Sequence, residues 1–176
     1  MTQVAGDLGY VTVGGCNPCN GQEFNVTSVA LRQPAEHTIN GRRYLAELQI
    51  THQKKGGNEQ VISSVFFYQQ PDGGFHNAFL EQLDFFNLPA ATQSKPILAP
   101  VDLNKLYEAF RGEFYSYAGS TTSAPCNENV TWVLYKTPLG LTKLQVDAAK
   151  AAVKGDSNRA VQSLGDRKVT WYRMPQ

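Results

Sequence analysis

Six side chains of this 176-residue sequence carry donors suited to metal binding, redox exchange or proton transfer: the thiols of Cys16, Cys19 and Cys126 and the imidazoles of His37, His52 and His76. Cys16 and Cys19 form a single CxxC. Such a pair reads as a loop with ordinary thiols or a local disulfide, with a redox pair or half of a metal site as the alternatives. A structural zinc centre takes four such ligands, and neither a second CxxC nor a nearby His pair accompanies this one. With three cysteines, at least one thiol is free or paired with another chain. A disulfide from Cys16 or Cys19 to Cys126 also fits, and the connectivity stays open. His76 follows a Gly-rich turn and is expected at the surface. Asn25-Val26-Thr27 and Asn129-Val130-Thr131 have the form of glycan acceptors in a secreted protein. Both fall in expected strands, where a packing role is the simpler reading.

The bulk composition narrows the setting. Hydrophobic residues make up 41% and charged residues 18% of the chain, as in a folded globular domain. The length fits one domain with a sizeable core. A net charge of +1 recommends neither nucleic acid nor an anionic membrane as partner. No apolar run approaches the roughly 18 residues of a membrane span. The opening MTQVAGDLGY lacks the basic and apolar regions of a signal peptide. The chain is therefore expected to be cytosolic, or to have lost a targeting segment.

The elements that must position these residues are mostly strands. Val11 to Val13, Phe24 to Leu31, Tyr44 to Thr51, Val61 to Tyr68, Phe114 to Tyr117 and Asn129 to Lys136 are rich in β-branched and aromatic residues. Within the third, Leu48 and Ile50 alternate with Glu47, Gln49 and Thr51. Asn40-Gly41 is a tight-turn signal, Lys54 to Asn58 reads as a loop, and Pro71-Asp72-Gly73-Gly74 closes the fourth strand. Three short helices are expected. Asn77 to Phe86 places Phe79, Leu80, Leu83 and Phe86 on one stripe. Asp102 caps a helix carrying Leu103, Leu106 and Phe110. Thr142 and Gln145 form a capping box for a helix that buries Val146, Ala149 and Val153 and stops at Gly155. The expected architecture is mostly β: one central sheet with short peripheral helices.

Three stretches resemble the alpha-class carbonic anhydrase family. Pro34-Ala35-Glu36-His37-Thr38-Ile39-Asn40-Gly41-Arg42-Arg43-Tyr44, continuing to Glu47-Leu48-Gln49, is similar to the family's SPSEHTINGKRYPLELHLVH. Tyr117-Ala118-Gly119-Ser120-Thr121-Thr122-Ser123-Ala124-Pro125-Cys126-Asn127-Glu128-Asn129-Val130-Thr131-Trp132 resembles YxGSLTTPPCTExVTW. Asn158-Arg159-Ala160-Val161-Gln162-Ser163-Leu164 resembles NxRPVQPL. Order and spacing agree over about residues 24 to 171. The resemblance implies a central twisted mixed sheet of the alpha-carbonic anhydrase type. It also implies a single domain over 1–176 that lacks the N-terminal portion of the family domain.

The resemblance also locates the family's zinc site. Zinc there takes a His-x-His pair on one strand and a third His on its neighbour, because residues i and i+2 share a face. The fourth position holds water, whose pKa the metal lowers. In this sequence the pair falls on Ala30 and Arg32 and the third ligand on Gln49. Alanine has no lone pair, and arginine stays protonated. Arg32 is expected to fill the metal position and pair with Glu36 or Glu47. Thr122 matches the threonine that orients zinc-bound hydroxide, Glu36 the carboxylate that accepts its proton, and Glu47 the partner of the third histidine. His37 matches a non-ligand histidine in a buried network and is grouped with Glu47 and Tyr117. His52, three residues from Gln49, points to the opposite face.

These matches imply a catalytically inactive carbonic-anhydrase-related protein, without zinc, serving as a binding or structural module or a subunit of an assembly. The alternative is an active carbonate dehydratase, or another lyase or hydrolase with a non-standard site; a third is a small-ligand or anion receptor using Arg32. The family's N-terminal segment has no counterpart, so a protein partner is expected over the uncovered sheet edge. Relatives with a cysteine at the Cys126 position favour a secreted or organelle-lumenal setting.

Overall fold

A computed structural model describes residues 2–5, 10–13, 22–89, 93–97, 101–153 and 158–173; residues 2–5 and 10–13 and Val153 are described by backbone alone. The strands in chain order are β1 (Thr2–Ala5), β2 (Tyr10–Val13), β3 (Gln22–Arg32), β4 (Thr38–Ile39), β5 (Arg42–Arg43), β6 (Ala46–Lys54), β7 (Gln60–Gln69), β8 (Glu113–Gly119), β9 (Val130–Tyr135), β10 (Leu139–Leu141) and β11 (Thr170–Arg173). Nine of them form one sheet among the described residues, with central order β1-β3-β6-β7-β9-β8-β11. β2 also pairs with β3, and β10 with β7. The sheet is mixed, since β7 runs parallel to β9 and β10 while its pairing with β6 is antiparallel. The outer edge of β3 is thus paired within the chain by β1 and β2.

The small elements follow their capping chemistry. Asn40 and Gly41 take φ of 50° and 76° between β4 and β5, the left-handed pair a two-residue hairpin turn demands. Helix α3 (Lys143–Val153) opens on the reciprocal capping box: Gln145 N–H donates to Thr142 Oγ1 and Thr142 N–H to Gln145 Oε1, each at 3.3 Å. Asp102 accepts from Asn104 N–H at 2.9 Å, but the segment starts as a 3₁₀ turn (Leu103–Leu106) before α2 (Tyr107–Phe110).

The helix expected over Asn77 to Phe86 is corrected to two pieces, α1 (Ala78–Gln82) and a 3₁₀ turn at Phe85–Asn87. Asp84, at φ 51°, breaks the helical period between them. The break moves Phe86 off the apolar stripe, leaving it 48% exposed, and seats Phe85 in the core at 1%. Val153 has no described side chain, and Gly155 lies outside the described residues. Strands β1, β10 and β11 have no counterpart among the strands expected from sequence.

The two faces of the sheet differ. On one, Val26, Val29, Leu31, Leu48, Ile50, Val65 and Phe67 pack under Phe79, Leu80, Phe85, Leu106, Ala109, Val146 and Ala149 from the helical segments. Each large buried side chain contributes about 1.5–3 kcal/mol relative to exposure. The other face carries Ile62, Phe66, Trp132 and Leu134, and beside them a polar cluster. Among the described residues no helix is long and apolar enough to cross a membrane.

Candidate functional site

A β-bulge decides which side chains enter that cluster. Along β3, Val26 pairs with His52 and Ser28 with Thr51, so Thr27 is the extra residue. A bulge reverses the alternation of side chains beyond it. Val26 and Val29 therefore share the apolar face, and Ala30 and Arg32 turn to the other. There they stand directly opposite Gln49 and Glu47 of β6. The sequence-derived grouping of Ala30, Arg32 and Gln49 on one face of two neighbouring strands is what this register produces.

Glu47 is the centre of the cluster and fully buried. Its Oε2 accepts from the backbone N–H of Glu36 and of His37, each at 2.9 Å. Its Oε1 accepts from Ser64 Oγ at 2.6 Å, His37 Nδ1 at 2.8 Å and Gln49 Nε2 at 3.1 Å. Burial alone would raise the pKa of such a carboxyl. The His37 imidazole, the Ser64 hydroxyl and the His37 amide outweigh it and bring the pKa down to about 2. Glu47 is thus an acceptor, which puts the His37 proton on Nδ1 and makes Nε2 the acceptor for Tyr117 Oη at 2.6 Å. Burial raises the Tyr117 pKa, so its hydroxyl keeps the proton it donates. The His37 ring also sits edge-on to Trp132, 4.6 Å between centroids.

The cluster continues from Gln49 to Arg32. Gln49 Nε2 donates to Glu36 Oε2 at 2.7 Å as well as to Glu47, while its Oε1 accepts from Arg32 Nε at 3.2 Å. The buried Arg32 guanidinium lies 3.5 Å from Glu36 Oε2 and donates through Nη2 to Ser123 Oγ at 3.0 Å and to Thr122 Oγ1 at 3.5 Å. The expected pairing of Arg32 therefore falls on Glu36. Glu36 Oε1 accepts the Arg159 amide at 2.8 Å, so both its oxygens are occupied, by Gln49, Arg32 and Arg159. Ala30 contributes only a methyl.

The other histidines lie outside the cluster. His52 is buried on the apolar side of β6, as its odd spacing from Gln49 requires, with Nε2 3.2 Å from Ser63 Oγ and Nδ1 unpartnered among the described residues. Burial brings its pKa down to about 4. His76 Nδ1 is 3.0 Å from Glu81 Oε1, and its side chain is one-third exposed, less than the surface position expected. Among the described residues no three His, Cys, Asp or Glu side chains assemble as a metal-binding group.

Cys16 and Cys19, and with them the CxxC and its disulfide options, lie outside the described residues. Cys126 is half-buried with no sulfur partner among the described residues. Of the two sequons, both asparagines are exposed, and the Asn129 side-chain amide donates to the Asn58 carbonyl. Ser64 and Ser123 join the network without having been singled out. The signal for Ser64 was a hydroxyl pair in mid-strand, Ser63-Ser64 in VISSVFFY, since a buried hydroxyl needs a partner.

A twisted mixed sheet, short helices on one face, and on the other a buried carboxylate braced by a histidine and a tyrosine together define a domain of the alpha-carbonic anhydrase type. The chain belongs to that family: it matches the model for eukaryotic-type carbonic anhydrase over residues 22–173. It is 30% identical over 157 residues to alpha carbonic anhydrase 7 of Arabidopsis thaliana, covering 88% of this chain and 56% of that one. Against alpha carbonic anhydrase 4 of the same plant it is 31% identical over 176 residues, covering 98% and 61%. Among solved structures, the alpha-carbonic anhydrase of Thermovibrio ammonificans in complex with the inhibitor sulfanilamide superposes with a TM-score of 0.77 at 32% identity, covering 95% of this chain and 69% of that one. Dioscorin complexed with ascorbate gives a TM-score of 0.72 at 25% identity, covering 90% and 66%. The chain spans little more than half the length of the curated relatives it matches.

Proposed function

We propose that this chain is a carbonic-anhydrase-family domain without zinc chemistry, acting as a binding or structural module. The observation that carries this reading is Arg32. Its guanidinium is buried against Gln49, Glu36 and Ser123, on the face where the family's zinc ligands fall by resemblance. The residues present do not fit the ion. Ala30 offers no lone pair. Arg32 brings a permanent cation. Gln49 has turned its oxygen to Arg32 and its nitrogen to two carboxylates. A divalent cation would have to displace the guanidinium and reverse that amide.

The competing reading is an active carbonate dehydratase or another lyase or hydrolase, and the relatives named carbonic anhydrase favour it. Elemental analysis of the purified protein, with a carbon dioxide hydration assay on the same sample, separates the two. Substoichiometric zinc with no inhibitor-sensitive hydration is expected; one zinc per chain with activity would overturn the proposal. The triple replacement Ala30→His, Arg32→His, Gln49→His is expected to restore zinc binding, because Glu47 remains in place to orient an imidazole at position 49.

A further inference from the structure

A trough of about 550 Å3 opens beside the polar network, and Tyr117 and His37 both line it. Here the hydrogen-bonded series that starts at the buried Glu47 reaches accessible space. Glu47 Oε1 lies 2.8 Å from His37 Nδ1, and His37 Nε2 lies 2.6 Å from Tyr117 Oη. Among the described residues Tyr117 is the only tyrosine bonded to an imidazole. The neighbouring Trp132 ring stacks on it, 6.4 Å between centroids, but gives its indole N–H to the Ser120 carbonyl. A carbonyl oxygen accepts a hydrogen bond and does not take the proton, whereas a neutral imidazole does both.

We propose that Tyr117 is a one-electron redox site, giving its electron to a small one-electron oxidant that reaches the trough and its proton to His37. This goes beyond the binding-module reading and does not depend on whether zinc binds. In the step the Tyr117 O–H bond breaks and its proton bonds to His37 Nε2. One electron passes from the phenol ring to the oxidant, which is reduced by it. The products are a neutral phenoxyl radical and an imidazolium. A small one-electron reductant reverses the step: the electron returns to the ring and the proton to Oη. Burial holds the resting phenol well above its ordinary pKa, so the proton does not leave ahead of the electron. An oxidised phenol is a strong acid, and its proton needs an acceptor already in place. Glu47 supplies that order by holding the His37 proton on Nδ1, which points the Nε2 lone pair at the phenol. The same carboxylate stabilises the imidazolium through a charge-assisted bond. Other charges act both ways. The Arg167 guanidinium, 5.3 Å from the ring centroid, disfavours electron loss, and the charges of Glu47 and Glu36 favour it. The proton acceptor is therefore what sets Tyr117 apart.

The probe is hexachloroiridate(IV), an outer-sphere one-electron oxidant, mixed with the full chain in stopped flow after its three thiols have been blocked with N-ethylmaleimide. Rapid freeze-quench electron paramagnetic resonance identifies the radical formed. The fastest phase of oxidant consumption is expected to yield a tyrosyl signal and to run slower in deuterium oxide, because a proton moves with the electron. Tyr117→Phe should remove that phase and its signal. His37→Phe keeps the phenol and removes the acceptor, and should slow the phase about tenfold or more, as loss of a charge-assisted bond to the product does. A fastest phase that survives Tyr117→Phe, or a first radical on tryptophan, would overturn the inference. So would an equal rate in His37→Phe. Should that variant not fold, the solvent exchange decides: a parent oxidised equally fast in water and in deuterium oxide also overturns it.

Discussion

Glu47 and His52 lie five residues apart on the same strand, both almost wholly buried, and the two faces of the sheet treat them in opposite ways. Glu47 meets five donors: two backbone amides, a hydroxyl, an imidazole and a carboxamide. Its charge is stabilised more than burial penalises it. His52 meets one hydroxyl and leaves Nδ1 without a partner among the described residues, so burial dominates and the neutral ring is kept. Burial alone does not set the charge of an interior group; the count of partners does. The face that surrounded its ionisable residue with donors is the one on which the family places chemistry.

The sharpest way to break this comparison is to remove the carboxylate. Glu47→Leu strands all five donors at once and should cost about 3–5 kcal/mol, read as a fall in urea midpoint. His52→Leu removes one weak bond and an orphaned nitrogen, and at pH 7 should stay within about 1 kcal/mol of the parent. Equal losses from the two replacements would erase the distinction.

Acid titration separates the same pair by pH. His52 has its folded pKa near 4 against an ordinary 6.5, so the unfolded chain binds its proton first. Stability is then lost as pH falls from about 6.5 to about 4, on the order of 3 kcal/mol in total. Glu47 has its folded pKa near 2 against 4.5. Its contribution is full above pH 4.5 and is lost as pH falls towards 2. Urea unfolding from pH 7 to pH 3 should show both declines, and His52→Leu should abolish the upper one only. A variant that still weakens between pH 6.5 and 4.5 would assign that loss to another group.

Sequence exposed these two residues unequally. His52 was placed by parity alone: an odd offset from Gln49 on a regular strand puts it on the other face, and β6 is regular there. Ala30 and Arg32 are placed by a bulge at Thr27 that nothing in FNVTSVAL signals, because branched and hydroxyl residues suit a bulged and a regular strand alike. The capping box at Thr142 and the turn at Asn40-Gly41 were legible because their chemistry is local. The break at Asp84 was not, since the apolar spacing through Phe86 suits an unbroken helix. Ser123 and the Arg159 amide reach Arg32 and Glu36 across 91 and 123 residues, distances over which no periodicity reports.

Replacing the cation probes whether the network needs it. Arg32→Met keeps much of the buried stem and removes a guanidinium that contacts Glu36, Gln49, Thr122 and Ser123. Glu36 keeps the Gln49 amide and the Arg159 N–H, so the cost should be about 1–3 kcal/mol, smaller than for Glu47→Leu. A loss as large as that of Glu47→Leu would mean that the guanidinium, and not the carboxylate, organises this face.

The smallest effect is expected at the end of the chain of bonds. Tyr117→Phe removes the hydroxyl that donates to His37 Nε2. Tyr117 also lines the open trough, so water can take the vacated place and the loss should be only about 0.5–1.5 kcal/mol. The informative quantity is its coupling to Glu47→Gln in a double-mutant cycle. Glu47 and Tyr117 share no direct hydrogen bond; they communicate through one imidazole, whose Nδ1 proton is fixed by the carboxylate and whose Nε2 lone pair is thereby offered to the phenol. If that relay orients the ring, the two losses should fall short of additivity by at least about 0.5 kcal/mol, because once either end is gone the other no longer finds His37 in its assigned tautomer.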